Sequence, residues 1–268
     1  GDARLTPRPR RFPLAIDQVA PASRAAAPQC PQRPLADVAA HARRLHVPAG
    51  VGLDSASVRA RMVQRLQDAG QVHHPAVAAA FAAVPRDRYV DSALAPQAYE
   101  DTALPIGHGQ TISKPSVIAR MLELLLVDRA SASPPLGRVL EIGTGCGYQA
   151  ALLSTLARQV VSIERVRALH DTARLRLASA GCHGVRLVWG DGRLGHPPQA
   201  PYDAIIAAAG GDELPAVWAE QLAPGGRLVA PVGGVTGQVL VVVERTADGW
   251  VRRMHEAVQF VPLKSGTA

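Results

Sequence analysis

Between Val139 and Tyr148 the chain reads Val-Leu-Glu-Ile-Gly-Thr-Gly-Cys-Gly-Tyr, an apolar run that turns into alternate glycines. Glycines at a strand-to-helix turn let the backbone come close to a bound molecule and aim helix N-terminal N–H groups at it. The same glycines would serve a tight turn for steric reasons alone, so the turn by itself names no ligand. Two further acids narrow the choice. Glu164 ends the next apolar run, at about the separation where an acidic side chain meets the hydroxyl pair of a ribose. Asp191-Gly192 closes a third run, where a side chain reaches an adenine edge. Any one of these carboxylates is as easily a solvated strand end. Glu141, Glu164 and Asp191 at the carboxyl ends of consecutive strands together point to a nucleoside-bearing ligand.

Such acids need a scaffold that gathers strand ends along one edge. Short apolar runs at 139–142, 160–163, 185–188 and 204–208 predict strands, and the stretches 149–156, 166–180 and 216–222 predict helices among them. Runs apolar throughout suit strands covered on both faces, so the alternation predicts an α/β fold with a doubly wound, mostly parallel, Rossmann-like sheet. After Gly225-Gly226 the order changes to strands at 227–232, 239–244 and 251–261, the last two joined at Ala247-Asp248-Gly249 as a C-terminal antiparallel hairpin. Upstream lies a helical lead-in. Val58, Met62 and Leu66 recur at helical spacing behind Asp54 and Ser55, Gly70 is a stop signal, and a second helix is predicted over 75–84. A loop over 99–105 leads to Gly107-His108-Gly109-Gln110-Thr111-Ile112-Ser113-Lys114-Pro115, whose proline suits the first turn of a helix over 116–127.

Composition bounds the partners. The net charge of +7 is uneven: residues 1–52 hold eight arginines and three acids, and the rest carries 21 basic against 19 acidic groups. The body therefore has no basic face calling for nucleic acid. The proline- and arginine-rich residues 1–52 are expected to form a disordered arm, with a single domain over 53–268. No apolar run is long enough for a membrane span. Cys30, Cys146 and Cys182 are odd in number and lack metal-ligand spacing, so no metal is expected and a reducing cytoplasm fits best. The residues before the domain lack a charged start followed by an apolar stretch and a small-residue cleavage site, so no secretory signal is expected among them.

A dehydrogenase fingerprint would have glycine where Tyr148 stands and seldom has an acid in the place of Glu141. The pattern Glu-x-Gly-x-Gly-x-Gly with Glu164 and Asp191 instead resembles the class I S-adenosylmethionine-dependent methyltransferases. That resemblance implies that Glu141 supports the loop at the methionine end, Glu164 binds ribose and Asp191 lies by the adenine. Ala207-Ala208-Ala209-Gly210-Gly211 stands where Asn-Pro-Pro-Tyr would mark methylation of a base.

Upstream, Ala98-Tyr99-Glu100-Asp101, Leu104-Pro105-Ile106-Gly107 and Gly109-Gln110-Thr111-Ile112-Ser113 with Pro115 resemble the signature of the protein-L-isoaspartate O-methyltransferases. Val84-Pro85-Arg86, Pro231-Val232-Gly233 with Gln238, and Phe260-Val261-Pro262-Leu263 fit as well, so the resemblance runs from about Val58 to Leu263. It implies that 53–127 forms the lead-in and substrate loop and 137–268 the sheet that binds S-adenosyl-L-methionine. It further implies cofactor contacts from Thr111, Ile112, Glu141, Gly143, Thr144, Gly145, Glu164, Asp191, Gly192 and Gln238, with Ser113 as the active-site residue. The implied partners are isoaspartyl proteins and peptides, with no nucleic acid or membrane, and the chain is expected to act as a monomer. A helix N-cap is the plainer role for Ser113. An isoaspartyl α-carboxylate is ionised at neutral pH, with a reference pKa near about 3.5, so its methylation needs alignment rather than a base. Two rivals stand beside this reading: a class I methyltransferase with another small-molecule or protein acceptor, and a nucleotide-binding module without catalysis.

Overall fold

The computed structural model of the chain describes residues 55–129, 133–234 and 236–268, and the arm expected over residues 1–52 lies outside them. The lead-in comprises α1 (Ser55–Asp68), α2 (Pro75–Ala83), a pair of short strands β1 (Leu104–Gly107) and β2 (Gln110–Ile112), and α3 (Pro115–Leu126). In α1 the residues Met62, Val63 and Leu66 turn inward. Pro75 and Pro115 open α2 and α3, where a missing N–H leaves no hydrogen bond unmade.

The chain then lays down β3 (Leu136–Ile142), α4 (Tyr148–Leu156), β4 (Ala157–Glu164), α5 (Arg167–Ser179), β5 (Val185–Trp189), β6 (Tyr202–Ala207), α6 (Ala216–Glu220), β7 (Leu222–Gly234), β8 (Gly237–Thr246) and β9 (Gly249–Val258). The strands from β3 on form one sheet in the order β5-β4-β3-β6-β7-β8-β9. It is parallel from β5 to β7 and antiparallel where β8 joins β7 and β9 joins β8. The predicted doubly wound sheet is thus present, and it ends in a three-strand meander that contains the predicted hairpin.

Side chains along the central strands alternate between two cores. Val139, Val160, Ala204, Ile206 and Val229 face the cluster built with the lead-in helices and α4. Leu140, Val161, Ile205, Ala207 and Leu228 face the cluster around Tyr202 and Trp218. A strand buried on both faces carries apolar residues at every position, which is why these runs stood out in sequence. The helix α4 is buried on nearly all sides, with even Gln149 only 7% exposed.

The helix read over 216–222 ends at Glu220 and β7 begins at Leu222, and two further differences bear on the site. Part of the segment read as loop pairs instead, Leu104 with Ile112 and Pro105 with Thr111, around a turn in which Gly107, His108 and Gly109 all have positive φ. The last strand stops at Val258, short of 261, and the chain crosses the carboxyl edge of the sheet, where Gly210 N–H donates to the Val261 carbonyl and Leu263 N–H to that of Gly210. Pro262 has no N–H for a ladder, which favours leaving the sheet.

Candidate active site

Strand order reverses at β3: the chain steps outward to β4 and β5, then returns to place β6 on the other side. At such a point the carboxyl ends of β3 and β6 part and leave a crevice. A cleft of about 870 Å³, including its open mouth, lies there between the glycine turn, the β1–β2 hairpin and the segment after β9.

The glycine turn is held from beneath. The N–H groups of Gly143 and Thr144 both donate to the Ile163 carbonyl, Gly145 N–H donates to the Glu164 carboxylate (2.8 Å), and Gly147 N–H to the Thr144 carbonyl. The expectation that this turn offers its N–H groups to a ligand is therefore corrected for these four, which tie the turn to β4 and to itself. Glycine is required on steric grounds as well: Gly145 has φ +55°, and a Cβ there would stand 3.1 Å from Ile106 of the hairpin. At Gly192 a Cβ would come within 2.6 Å of Ile142, so only glycine lets the β5 end close over β3.

The three acids take three different positions. Glu164 lies in the cleft wall, its two oxygens each accepting one backbone N–H, from Gly145 and from Val166 (2.9 Å). A carboxylate oxygen has room for a further donor, so Glu164 presents fixed, unfilled acceptor positions to the cleft. Glu141 stands below the turn instead of in the wall. It is fully buried, accepts from the Ser162 hydroxyl, and Ser162 in turn shares a 2.5 Å hydrogen bond with Thr144 of the turn. Burial pushes its carboxyl up to about 8 against the opposing help of Ser162 and Gln149, with the nearby Glu164 adding to the rise. Its Oε1 and the Gln149 Nε2 are both buried without a well-formed partner, so the Gln149 amide acts at a distance. Asp191 is also outside the wall, one oxygen accepting from Arg193 N–H (2.9 Å) and the other from Gly266 N–H (2.6 Å), whereas its neighbour Gly192 lines the cleft.

Across the cleft, Thr111, Ile112 and Ser113 come off the end of the hairpin into the wall. Ser113 is not the helix cap that its position suggested. Lys114 occupies the N-cap of α3 without a side-chain bond, and the Asp101 carboxylate accepts the Ser116 N–H (2.9 Å) in its place. The Ser113 carbonyl accepts from the buried Arg86 guanidinium (2.8 Å), and its hydroxyl has no hydrogen bond among the described residues. That hydroxyl and the Thr111 hydroxyl are polar groups that the hairpin end leaves uncommitted at the wall across from Glu164.

Gln238, also a predicted contact, lies behind Gly210, where its Oε1 accepts the Phe260 N–H (2.7 Å) and fixes the start of the closing segment. That segment supplies wall residues that sequence reasoning left without a role, Val261 to Lys264, as do Ala208 and Ala209 at the end of β6. Nothing local in the closing stretch marks its return to the carboxyl ends of the earlier strands, so its sequence alone does not assign it to the wall.

The wall offers a fixed carboxylate, apolar surface from Ile106, Ile112 and Ile142, and a turn whose N–H groups are largely taken. A phosphate would ask for free N–H donors. A ligand that donates from ribose hydroxyls and carries positive charge instead finds its acceptor in Glu164. The residues present thus fit an adenosyl sulfonium better than a dinucleotide.

Comparisons agree with this chemistry. A model of the family described as protein-L-isoaspartate(D-aspartate) O-methyltransferase matches residues 56–268. The chain is 61% identical over 262 residues to a protein named protein-L-isoaspartate O-methyltransferase from Methylibium petroleiphilum, covering 96% of each. It is 54% identical over 276 residues to one of the same name from Leptothrix cholodnii, covering 98% of this chain and 96% of that one. Among solved structures, one named protein-L-isoaspartate O-methyltransferase superposes with a TM-score of 0.68 at 29% identity, over 77% of this chain and 66% of that one. Another, described as such an enzyme from Plasmodium falciparum in complex with S-adenosyl-L-homocysteine, gives a TM-score of 0.67 at 23% identity over 77% of this chain and 98% of that one, a likeness of fold alone.

Proposed function

The chain belongs to the protein-L-isoaspartate(D-aspartate) O-methyltransferase family, and from that premise we propose that the cleft at the carboxyl edge of β3, β4 and β6 is its active site. The enzyme transfers the methyl group of S-adenosylmethionine to the free α-carboxylate of L-isoaspartyl residues in damaged proteins and peptides, the first step of their repair. When bound, that cofactor supplies an electrophilic methyl on a positively charged sulfur.

The chain's own residues hold and exclude. Glu164, anchored by two backbone N–H groups, accepts from the ribose hydroxyls. Glu141 keeps the glycine turn in place through Ser162 and Thr144. Gly192 and the hairpin residues Thr111 and Ile112 close on the cofactor, while Asp191 and Gln238 act one layer back by fixing the segments that form the wall. Ser113 aligns the acceptor carboxylate with its free hydroxyl. The acceptor arrives ionised, so alignment within about 3 to 3.5 Å and removal of water, rather than proton abstraction, are what the site must provide. The apolar side chains of Ile106, Ile112 and Leu263 around the cleft keep water out. The chain acts as a monomer in the cytoplasm, without nucleic acid or membrane partners. The near-balanced charge beyond residue 52 and the free thiols of Cys146 and Cys182 support that part of the reading.

The observation that carries the site assignment is the uncommitted Ser113 hydroxyl opposite a backbone-anchored Glu164. Its test uses an isoaspartyl peptide and its aspartyl twin as acceptors. The parent protein should label the first and hardly the second. Glu164→Gln should lose a charge-assisted hydrogen bond worth about 1.5 to 3 kcal/mol, a roughly 10- to 150-fold weaker cofactor affinity by calorimetry. Ser113→Ala should keep that affinity and slow single turnover of bound peptide. Parental turnover in Ser113→Ala would remove Ser113 from the active site.

A further inference from the structure

Arg86 is a buried charged residue next to the site that the reading above leaves without a task. It has no exposed surface, and burial lowers the pKa of its guanidinium. Its hydrogen bonds go to three main-chain carbonyls: Nε to Ala98 (2.8 Å), and Nη2 to Thr102 (3.3 Å) and Ser113 (2.8 Å). The guanidinium carbon also lies 5.1 Å from the centre of the Tyr148 ring, and Tyr148 is the first residue of α4, directly after the glycine turn.

Burying a charge without a hydrogen-bonded carboxylate is expensive, and an apolar residue of similar volume would fill this space more favourably. What an apolar residue cannot do is bond both ends of a loop at once. Ala98 and Thr102 precede the β1–β2 hairpin and Ser113 follows it, so a single planar cation ties the entry and exit of the hairpin together. The stacking on Tyr148 sets that tied base against the turn that holds the cofactor.

We propose that Arg86 is a positioning residue for methyl transfer: it fixes the main chain at Ser113, and hence the acceptor side of the cleft, relative to the glycine turn. The proposal rests on the active-site reading given above, and it deepens that reading by naming what aligns the hairpin end. Arg86 touches no reacting atom.

The test compares Arg86→Lys and Arg86→Gln with the parent and with Ser113→Ala. A lysine ammonium is a point donor that cannot span three carbonyls, and glutamine removes the buried charge, so at least the neutral variant is expected to fold. Rates are measured well below the melting temperature and normalised to cofactor-binding stoichiometry. Both variants should then show kcat lowered by about 10- to 100-fold with cofactor affinity changed by less than about threefold, because a shift near 1 Å degrades alignment far more than binding. Lysine should retain more rate than glutamine. A purely structural role predicts a lower melting temperature and a smaller active fraction but parental kcat per bound cofactor, and that result would overturn the proposal. So would equal losses in kcat and cofactor affinity. If Ser113→Ala turns over at the parental rate while the Arg86 variants are slow, the hydroxyl's role falls and the clamp on the main chain stands.

Discussion

A carboxylate buried without a cation either finds enough donors or keeps its proton, and among the described residues Glu141 has one well-formed hydrogen bond, from the Ser162 hydroxyl, with Gln149 nearby. Its folded pKa of about 8 lies above the usual 4.5, so between those values the folded state holds a proton that the unfolded chain releases. The sign follows from proton counting: the stability linked to this group is fully present below pH 4.5 and is lost as pH rises through about 8. Across that window the slope approaches roughly 1.4 kcal/mol per pH unit for one fully buried group. Glu141→Gln resembles the protonated acid and should flatten the dependence, making the variant relatively more stable than the parent at pH 8 than at pH 5. Urea unfolding at several pH values checks this, and identical slopes in parent and variant would refute it. The role that the resemblance gave Glu141, supporting the loop, is the one its placement supports, since a group that far under the turn reaches a ligand only through Ser162 and Thr144. Glu164, by contrast, was legible from spacing alone, because a strand end in a parallel sheet points its last side chain toward the crevice.

At the scale of elements, legibility followed burial. The strands β3, β4 and β6 are covered on both faces and announce themselves as apolar runs. The β1–β2 pair has only four and three residues, one side open to water, and its turn contains a non-glycine residue of positive φ at His108, so neither length nor alternation marked it. The cap of α3 was misplaced for a related reason. Ser113 sits at the right distance in sequence, but Arg86 holds its main chain away and Asp101, fifteen residues before Ser116, supplies the capping oxygen. Asp101→Ala should therefore destabilise the protein by about 1 kcal/mol, within the usual 0.5 to 2 for a lost cap. Asp101→Asn should cost much less, since an amide oxygen still accepts the Ser116 N–H. Denaturant midpoints for the pair decide the matter: equal losses in the two variants would show that the helix start does not depend on this bond. Because Asp101 also begins the turn into β1, the alanine variant should raise the peptide KM more than it alters cofactor affinity.

Over the whole molecule the chain closes on itself in a way no local pattern reveals. After β9, at one edge of the sheet, it runs back across the carboxyl ends to the turn between β4 and α5 and to the residues just after β5. There Gly266 N–H donates to Asp191, the Arg165 guanidinium donates to the Gly266 and Ser265 carbonyls, and Ala268 exchanges backbone hydrogen bonds with Arg165 and Arg167. Arg165 and Lys264 both stand in the cleft wall, so this return segment forms part of the wall and braces another part. The carboxylate of Asp191, expected to lie by an adenine, is engaged by the Arg193 and Gly266 N–H groups and so secures the strap that covers that side. Deleting residues 264–268 should leave the two cores intact, because none of these residues belongs to either cluster. The melting temperature without ligand should fall by only a few degrees, as expected for about 1 kcal/mol lost in a domain of this size. Cofactor affinity should fall by about tenfold, the equivalent of roughly 1.4 kcal/mol, through loss of Lys264 and loosening of Arg165. The ligand-induced rise in melting temperature should shrink with it, because that rise grows with the ratio of ligand concentration to Kd. Calorimetric titration with S-adenosylmethionine and thermal melts with and without it provide both readings. A parental affinity in the shortened chain would show that the return segment braces nothing the cofactor uses, and a melting temperature lowered by tens of degrees would show that it belongs to the folding core instead.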